Sequence, residues 1–166
     1  FTLTAFDIGG TRCVACARGG PALRQSAERM ASLFVGGDAR RMFTPNVSVS
    51  VGAGDEGRSH SRVLSLGSDV RIASRYSMSL AANWERRTDD QQWVANYGAF
   101  RSDTTHFTFA RLAQNTIGIT ARANWTATPR LSLQLYAQPF VSSGEFSDWR
   151  AMTAPVARTA WGAGFA

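Results

Sequence analysis

Two closely spaced cysteines, in the sequence Cys13-Val14-Ala15-Cys16, are the first residues in the chain that could do chemistry. A thioredoxin-like redox site places such a pair at the start of a helix within a βαβ unit, and the surrounding sequence has no such pattern. A zinc site needs a second pair of ligands, whereas the two histidines lie far away, at positions 60 and 106. The spacing therefore favours a place in a loop, either as a small disulfide or as two unpaired thiols, over a redox or metal centre.

The second candidate is His106, which follows Ser102 and Asp103. Nucleophilic hydrolysis needs a nucleophile, a base and an orienting group within hydrogen-bond reach of one another. These three residues are neighbours in a predicted polar loop, where nothing buries them. No glycine-rich loop follows a strand and opens a helix, so nothing indicates a nucleotide site. We therefore expect no enzyme activity, no cofactor and no metal.

The positive charge of the chain comes from arginine alone. There are 18 basic residues, none of them lysine, against 12 acidic ones, which gives a net charge of +6. A nucleic-acid-binding protein concentrates such charge on one face, whereas these arginines are spread along the chain, mostly near predicted turns and loops. We therefore expect no nucleic-acid partner. In a membrane protein, arginines at strand ends can reach lipid headgroups and bind their phosphates.

The strongest structural signal is the alternation of apolar and polar residues over 115–138. A period of two is the pleat of a β-strand, in which successive side chains lie on opposite faces. One face is apolar on both sides of a short turn, and it consists of Ile117, Ile119, Ala121, Ala123 and Trp125, then Leu131, Leu133, Leu135 and Ala137. Such a face requires either a protein core or lipid hydrocarbon against it.

The same alternation recurs upstream, in 47–51, 64–72 and 76–84. The lengths of these predicted strands are close to that of a tilted membrane-spanning strand, which has about 9–11 residues. Strands of soluble proteins more often have about 5–6 residues. Within residues 105–125 the apolar side chains stay on one of the two alternating faces. This pattern predicts a single long strand that pairs with residues 93–98. No stretch of about 18 apolar residues occurs, so the sequence contains no predicted transmembrane helix.

The predicted connections alternate in length, which is typical of an up-and-down barrel with tight turns at one rim and long loops at the other. The short turns are predicted on the periplasmic side, at 38–44, 73–75 and 127–130. The long loops are predicted on the outer side, at 9–28, 53–61, 87–104 and 142–159.

The fold prediction is all-β: an antiparallel, up-and-down outer-membrane-type β-barrel, present as a partial barrel of about eight strands. We assign residues 1–166 to one barrel domain or barrel fragment. Residues 30–141 contain the best-supported strands. Residues 142–166 are predicted to be a loop and a truncated strand.

The candidate site is a surface, formed by the polar parity of these strands. If the apolar face meets lipid, the opposite face lines a water-filled lumen. Three roles are open to such residues: a selectivity surface, an ion-pair network, or simple hydration of the lumen. The residues expected to line the lumen are Asp69, Arg71, Asn83, Glu85, Arg122, Asn124, Gln134 and Gln138.

The sequence LSLQLYAQPFVSSGEFSDW at 131–149 resembles a bacterial outer-membrane family of unknown function. Its members are often labelled carbohydrate-binding family 9-like domain-containing proteins, and the similarity is to their C-terminal β-barrel region. The sequence TIGITARANWTATP at 116–129 and the sequence RGGPAL at 18–23 are similar to the same region. The resemblance implies a barrel in the bacterial outer membrane and carries no catalytic motif. In this family a β-sandwich precedes the barrel and further strands follow the part matched here. We therefore expect the sequence to be a fragment of such a barrel, without the sandwich and the closing strands.

The predicted function is that of an outer-membrane β-barrel with a structural or solute-transport role in the cell envelope. The expected partners are outer-membrane lipid and, by analogy with the family's sandwich domain, a glycan or another envelope solute. The alternative is a soluble β-sandwich or a lipocalin-like binding protein, whose apolar face is an enclosed interior. The two hypotheses differ in the environment of Leu66, Leu80, Ile119 and Leu133, which are exposed to lipid in the first and enclosed in the second.

Overall fold

The computed structural model describes residues 1–20, 22–98 and 105–152, and this part of the chain is almost entirely β-strand. Its short helical element is a 3₁₀ turn at Asp55–Gly57. None of the described residues forms a helix long and apolar enough to cross a membrane. The strands are β1 (Thr2–Ile8), β2 (Thr11–Cys13), β3 (Leu23–Gln25), β4 (Glu28–Gly36), β5 (Phe43–Gly54), β6 (Ser59–Ala73), β7 (Tyr76–Gly98), β8 (Thr105–Thr128), β9 (Leu131–Ala137) and β10 (Phe140–Ala151).

Eight of these strands form one antiparallel sheet in the order β1-β4-β5-β6-β7-β8-β10, with β9 also paired to β8. Strands β9 and β10 follow the same edge of β8, and between them the Ile119 N–H donates to the Pro139 carbonyl over 2.9 Å. Proline has no N–H to donate and is tolerated at such an edge. Within the described residues the sheet does not close. The predicted all-β, antiparallel, up-and-down fold is confirmed, and the open sheet is consistent with a partial barrel.

The three predicted short turns are present. Residues 37–42 join β4 to β5, residues 74–75 join β6 to β7, and residues 129–130 join β8 to β9. The predicted long strand is present as β8, and it pairs with β7 at Trp93 and from Ala95 to Gly98. The predictions of these turns and of this pairing are confirmed.

Three of the predicted long loops are wrong in extent. Strand β7 continues through residues 87–98, strand β10 occupies 142–151, and the link between β5 and β6 shrinks to 55–58. Serine, glycine and aspartate in 142–148 favour a turn by composition. An edge strand nevertheless obtains its backbone partners from its neighbour, and β8 supplies them here. A register shift between Ser147 and Arg150 absorbs the irregularity.

The sheet has one apolar face and one polar face, and each continues from strand to strand. Directly opposed residues of neighbouring strands lie on the same face. One row of the apolar face runs across seven strands through Leu3, Leu33, Val49, Leu64, Trp84, Ile117 and Val141. The adjacent row of the polar face runs through Thr4, Ser32, Ser50, Val63, Glu85, Thr116 and Ser142.

The apolar face is the exposed one. Leu66 is 47 % exposed, Leu80 55 %, Ile119 44 % and Leu133 62 %, so the described residues do not enclose these side chains. On β5, the small polar residues are half-buried while the valines between them are exposed. A Cβ at Gly67, on the polar face, would come within 2.5 Å of the Asn46 side chain. The polar face is therefore the more enclosed side of the sheet here.

A small hydrophobic core lies at the far end of the long strands, away from the short turns. Phe109 and Ala110 are fully buried, and because adjacent residues of a strand lie on opposite faces, β8 is covered on both sides there. Ala17 and Leu23 pack with Phe109 in the buried cluster. They belong to the cap segment, which we define as residues 9–20 and 22–26. Strands β2 and β3 pair within this segment, and a disulfide joins Cys13 to Cys16, so the first of the two alternatives for the cysteines is correct.

Candidate functional site

The predicted site residues near the short turns lie on the polar face in two adjacent rows. In one row, Asp69, Ser79, Arg122 and Tyr136 are successive register partners. In the next, the partners are Arg71, Ser77, Asn124 and Gln134. The alternation in the sequence thus identified residues that the sheet brings side by side.

These rows are linked by contacts between single neighbours. The Arg122 guanidinium lies 5.2 Å from the centre of the Tyr136 ring, and the Tyr136 hydroxyl donates a hydrogen bond to Gln138. The Asn124 amide donates to the Ser77 hydroxyl over 3.3 Å. Ser79 separates Asp69 from Arg122, and no ion pair links charged residues of the predicted set within the described chain. Near the short turns the polar face is therefore a surface of mixed charge, without ion pairs between the predicted residues.

The other two predicted residues, Asn83 and Glu85, lie on the polar face further from the short turns. Asn83 is exposed between Ser65 and Gly118. Glu85, between Val63 and Thr116, lines a cavity of about 710 Å³ that separates the polar face from the cap segment. Of the eight predicted residues, Glu85 is the one that lines this cavity.

Four carboxylates from three elements converge on this cavity. Glu28 comes from β4, Asp55 from the 3₁₀ turn, and Glu85 and Asp89 from β7. Arginines 18 and 87 add positive charge, and Arg87 forms an ion pair with Asp89 at 3.3 Å. The lining therefore carries both signs of charge and suits a polar solute.

The cap segment is held against β7 by specific contacts. The Asn96 amide donates to the carbonyl oxygens of Arg18 over 3.0 Å and of Ala17 over 3.4 Å. The Trp93 indole N–H in turn donates to the Asn96 side-chain oxygen over 2.9 Å, and the Arg18 guanidinium lies 4.1 Å from the centre of the Trp93 ring. The contacts of Asn96 and Trp93 with the cap segment join residues more than seventy positions apart in the chain, so they hold this segment as one wall of the cavity.

Asp55 occupies the turn at one end of the cavity. It accepts hydrogen bonds from the hydroxyls of Ser59 and Ser26, and its backbone N–H donates to Ser26 over 2.7 Å. Burial raises the pKa of the Asp55 carboxyl above the ordinary value of 3.8. The two serine hydrogen bonds oppose this rise, while the negative charges of Asp89 and Asp90 add to it.

Asp90 is the buried carboxylate beside this group, and its side chain is 5 % exposed. It pairs with Arg150 at 3.3 Å and with Arg58 at 3.9 Å, and its backbone N–H donates to Ser59 over 2.9 Å. A β-bulge after Asp89 produces this arrangement, because the register between β7 and β8 shifts there. The composition of this polar stretch predicted a loop, and only the two consecutive aspartates at 89 and 90 hinted at a special role.

Within the described residues, the group around Asp55 has neither a histidine partner nor a metal-binding cluster. Neither histidine forms a hydrogen bond with Ser59, so the Asp55–Ser59 pair has no histidine base. No group of three or more His, Cys, Asp or Glu side chains that could hold a metal ion occurs within residues 1–20, 22–98 and 105–152. His106 is exposed, and its sequence neighbours at 102 and 103 lie outside the described residues.

A domain of unknown function (DUF5916) matches residues 17–155, which include β3 through β10. The chain therefore belongs to the DUF5916 family. No curated protein and no solved structure shows significant similarity to the chain.

Proposed function

We propose that this chain forms part of the wall of a transmembrane β-barrel in the outer membrane of Gram-negative bacteria, with a structural or solute-transport role and no catalysis. In this proposal the apolar face contacts lipid hydrocarbon and the polar face lines a water-filled lumen. The observation that carries it is the exposure of large apolar side chains such as Leu80, at 55 %, and Leu133, at 62 %. Contiguous apolar surface of this extent is rare in soluble monomers, and lipid would remove it from water.

The height of the apolar face supports the proposal. On β7 this face extends from Tyr76 through Trp84, which is about 26 Å along the strand at about 3.3 Å per residue. A tilt of about 35–45° reduces this to about 19–22 Å, close to the apolar band of about 25 Å on outer-membrane barrels.

The borders of the apolar face also fit a membrane. Tyr76 and Trp125 are stacked at the end near the short turns, with ring centres 6.2 Å apart. Trp84 lies at the opposite end, and Arg86 begins the polar region beyond it. Aromatic girdles at both interfaces, followed by charged residues, are typical of transmembrane barrels.

For the solute, we propose a glycan or another polar molecule of the envelope. The sequence resemblance is to barrels that follow a carbohydrate-binding family 9-like sandwich, and this part of the proposal is an analogy at the level of the fold. The polar face supplies amide, carboxylate and guanidinium groups, among them Gln134, Asp69 and Arg122, which hydrogen-bond to hydroxyl groups.

Tryptophan quenching by brominated phosphatidylcholine tests the membrane orientation. Variants of the full-length protein that keep a single tryptophan are reconstituted into vesicles of this lipid. We expect strong quenching of Trp125, on the apolar face, and weak quenching of Trp93, which contacts the cap segment. Equal quenching of the two residues, or a protein that is a monodisperse monomer without detergent, contradicts the proposal and favours the soluble binding protein.

A further inference from the structure

Two arginines lie directly opposite each other at the border of the apolar face. Arg62 on β6 and Arg86 on β7 are register partners, one row beyond the apolar pair Leu64 and Trp84. Both arginines are exposed. Asn115 on β8, the register partner of Arg86, continues their row.

This pair is unfavourable by itself. Like charges placed directly opposite on neighbouring strands destabilise a sheet. The ion pairs of the described residues involve the arginines at 29, 58, 87 and 150, and therefore neither member of this pair. Glu145 shares a shallow cavity of about 430 Å³ with Arg86 without forming an ion pair with it. An external anion at this position would offset the repulsion.

The geometry suits a phosphate group. Directly opposed residues have Cβ atoms about 4.5–5.5 Å apart, so two guanidinium groups can converge on one tetrahedral anion and donate to several of its oxygens. The Asn115 side-chain oxygen already accepts a hydrogen bond from Trp84 over 2.8 Å, which leaves the Asn115 amide N–H groups as further donors in the same row.

We propose that Arg62 and Arg86 bind the phosphate of a lipid headgroup at the border of the apolar face. This inference rests on the proposed membrane function. A phosphate held in this row would place its acyl chains along the adjacent apolar row, over Leu64 and Trp84. A free phosphate would present the same anion without the chains, so the apolar row beside the arginines favours the lipid. Arginines close to a membrane surface attract anionic lipids in this way.

The test measures phospholipid binding to the detergent-solubilised full-length protein by native mass spectrometry. The lipids are phosphatidylglycerol and, as a chain-matched control without phosphate, digalactosyl diacylglycerol. We expect the double variant Arg62→Gln/Arg86→Gln to bind phosphatidylglycerol about thirtyfold more weakly than the wild type, the effect expected for two arginines near a charged membrane surface. We expect no change in binding of the galactolipid.

The control variant Arg71→Gln/Arg122→Gln removes the same charge from the polar face. It should bind phosphatidylglycerol like the wild type. Equal weakening in both double variants would overturn the site, because it would indicate a general effect of net charge. Unchanged binding in Arg62→Gln/Arg86→Gln would overturn it as well.

Two further outcomes separate the sources of the anion and the two proposals. If millimolar inorganic phosphate displaces phosphatidylglycerol from the wild type, the site binds free phosphate and the lipid assignment is wrong. If the wild type inserts into vesicles but the arginine variant binds lipid normally, only this inference fails. If the wild type is a detergent-free monomer, the proposed function itself fails.

Discussion

Trp84 and Asn115 are joined across the β7–β8 pair by a hydrogen bond of 2.8 Å from the indole Nε1 to the amide Oδ1. Trp84 belongs to an apolar row of the sheet, and Asn115 belongs to the next row, which is polar from β6 to β8. The bond fixes the indole with its apolar ring beside Leu64 and its N–H toward the polar row. Tryptophan favours the membrane interface because it can satisfy both requirements there.

The first prediction concerns this hydrogen bond. Asn115→Ala removes the acceptor and leaves the indole N–H at a partly covered position, so the free energy of unfolding in detergent should fall by about 1 kcal/mol. The measurement is a urea titration of the full-length protein. In a double-mutant cycle with Trp84→Phe, the double variant should lose less stability than the sum of the losses in the two single variants. Strictly additive effects would show that the contact contributes nothing to stability.

The second prediction concerns the apolar side of β7, which we propose faces lipid. Leu80 lies midway between Tyr76 and Trp84 on the apolar face. Leu80→Arg should therefore make folding into phosphatidylcholine vesicles less favourable by about 2–4 kcal/mol. This is the cost of an arginine on the lipid face of a barrel at the bilayer midplane.

The matched control for this prediction is Asn83→Arg, on the same strand but on the polar face. Asn83 is exposed beside Gly118, which has no side chain to displace. The substitution Asn83→Arg should change the folding free energy by less than about 0.5 kcal/mol, as at an ordinary surface position. Similar losses for the two variants would contradict the assignment of lipid and water to opposite faces.

The sequence was sufficient to predict the regularly alternating strands of the sheet, because each of their faces meets one kind of environment. Val47, Val49 and Val51 alternate with serines, and this period of two identified the strand and its parity without further information. The same parity grouped Asp69 with Arg122, which the sheet brings into one row. Register follows from parity wherever a slip of one residue would exchange the two faces.

The cap segment and the bulge at Asp90 could not be predicted from a repeating pattern, because their structure depends on contacts between residues that are distant in the chain. Asn96 binds the carbonyl of Arg18, 78 positions away, and no periodic pattern encodes such a contact. The bulge that buries Asp90 lies in a polar stretch whose composition favours a loop. The spacing of Cys13 and Cys16 allowed both a disulfide and free thiols, and the structure selects the disulfide.

The third prediction concerns that disulfide. The disulfide closes a loop of about four residues. In the chain-entropy model this raises the free energy of the unfolded cap segment by about 2 kcal/mol. The variant Cys13→Ser/Cys16→Ser should therefore open more often at this segment and be cleaved faster by trypsin after the exposed Arg18. The rate is measured on the folded, detergent-solubilised protein.

Reduction provides the control for the disulfide prediction. Dithiothreitol should accelerate cleavage of the wild type after Arg18 and leave the rate of the serine variant unchanged. The contacts of Asn96 with the cap segment remain in both proteins, so the segment should loosen rather than detach. A wild-type cleavage rate that does not respond to reduction would show that these contacts alone hold the segment.

The fourth prediction is a pH dependence of stability that comes from Asp55, in the turn between β5 and β6 and outside the apolar face. Burial raises the pKa of its carboxyl in the folded protein, while in the unfolded chain it ionises near the ordinary value of 3.8. Between these two pKa values the folded state holds a proton that the unfolded state has released. Stability should therefore fall as the pH rises through this window, and the loss should persist above it.

Asp55→Asn removes the titrating group and keeps the shape of the side chain. Its urea midpoint should not show this decline as the pH rises above the ordinary value of 3.8. The stability of the variant relative to the wild type should therefore rise with pH. Because the carboxyl is only half-buried, solvent screening keeps the gain small. The control Glu56→Gln, at an exposed position in the same turn, should retain the wild-type profile. Parallel curves for the wild type and Asp55→Asn would refute the assignment.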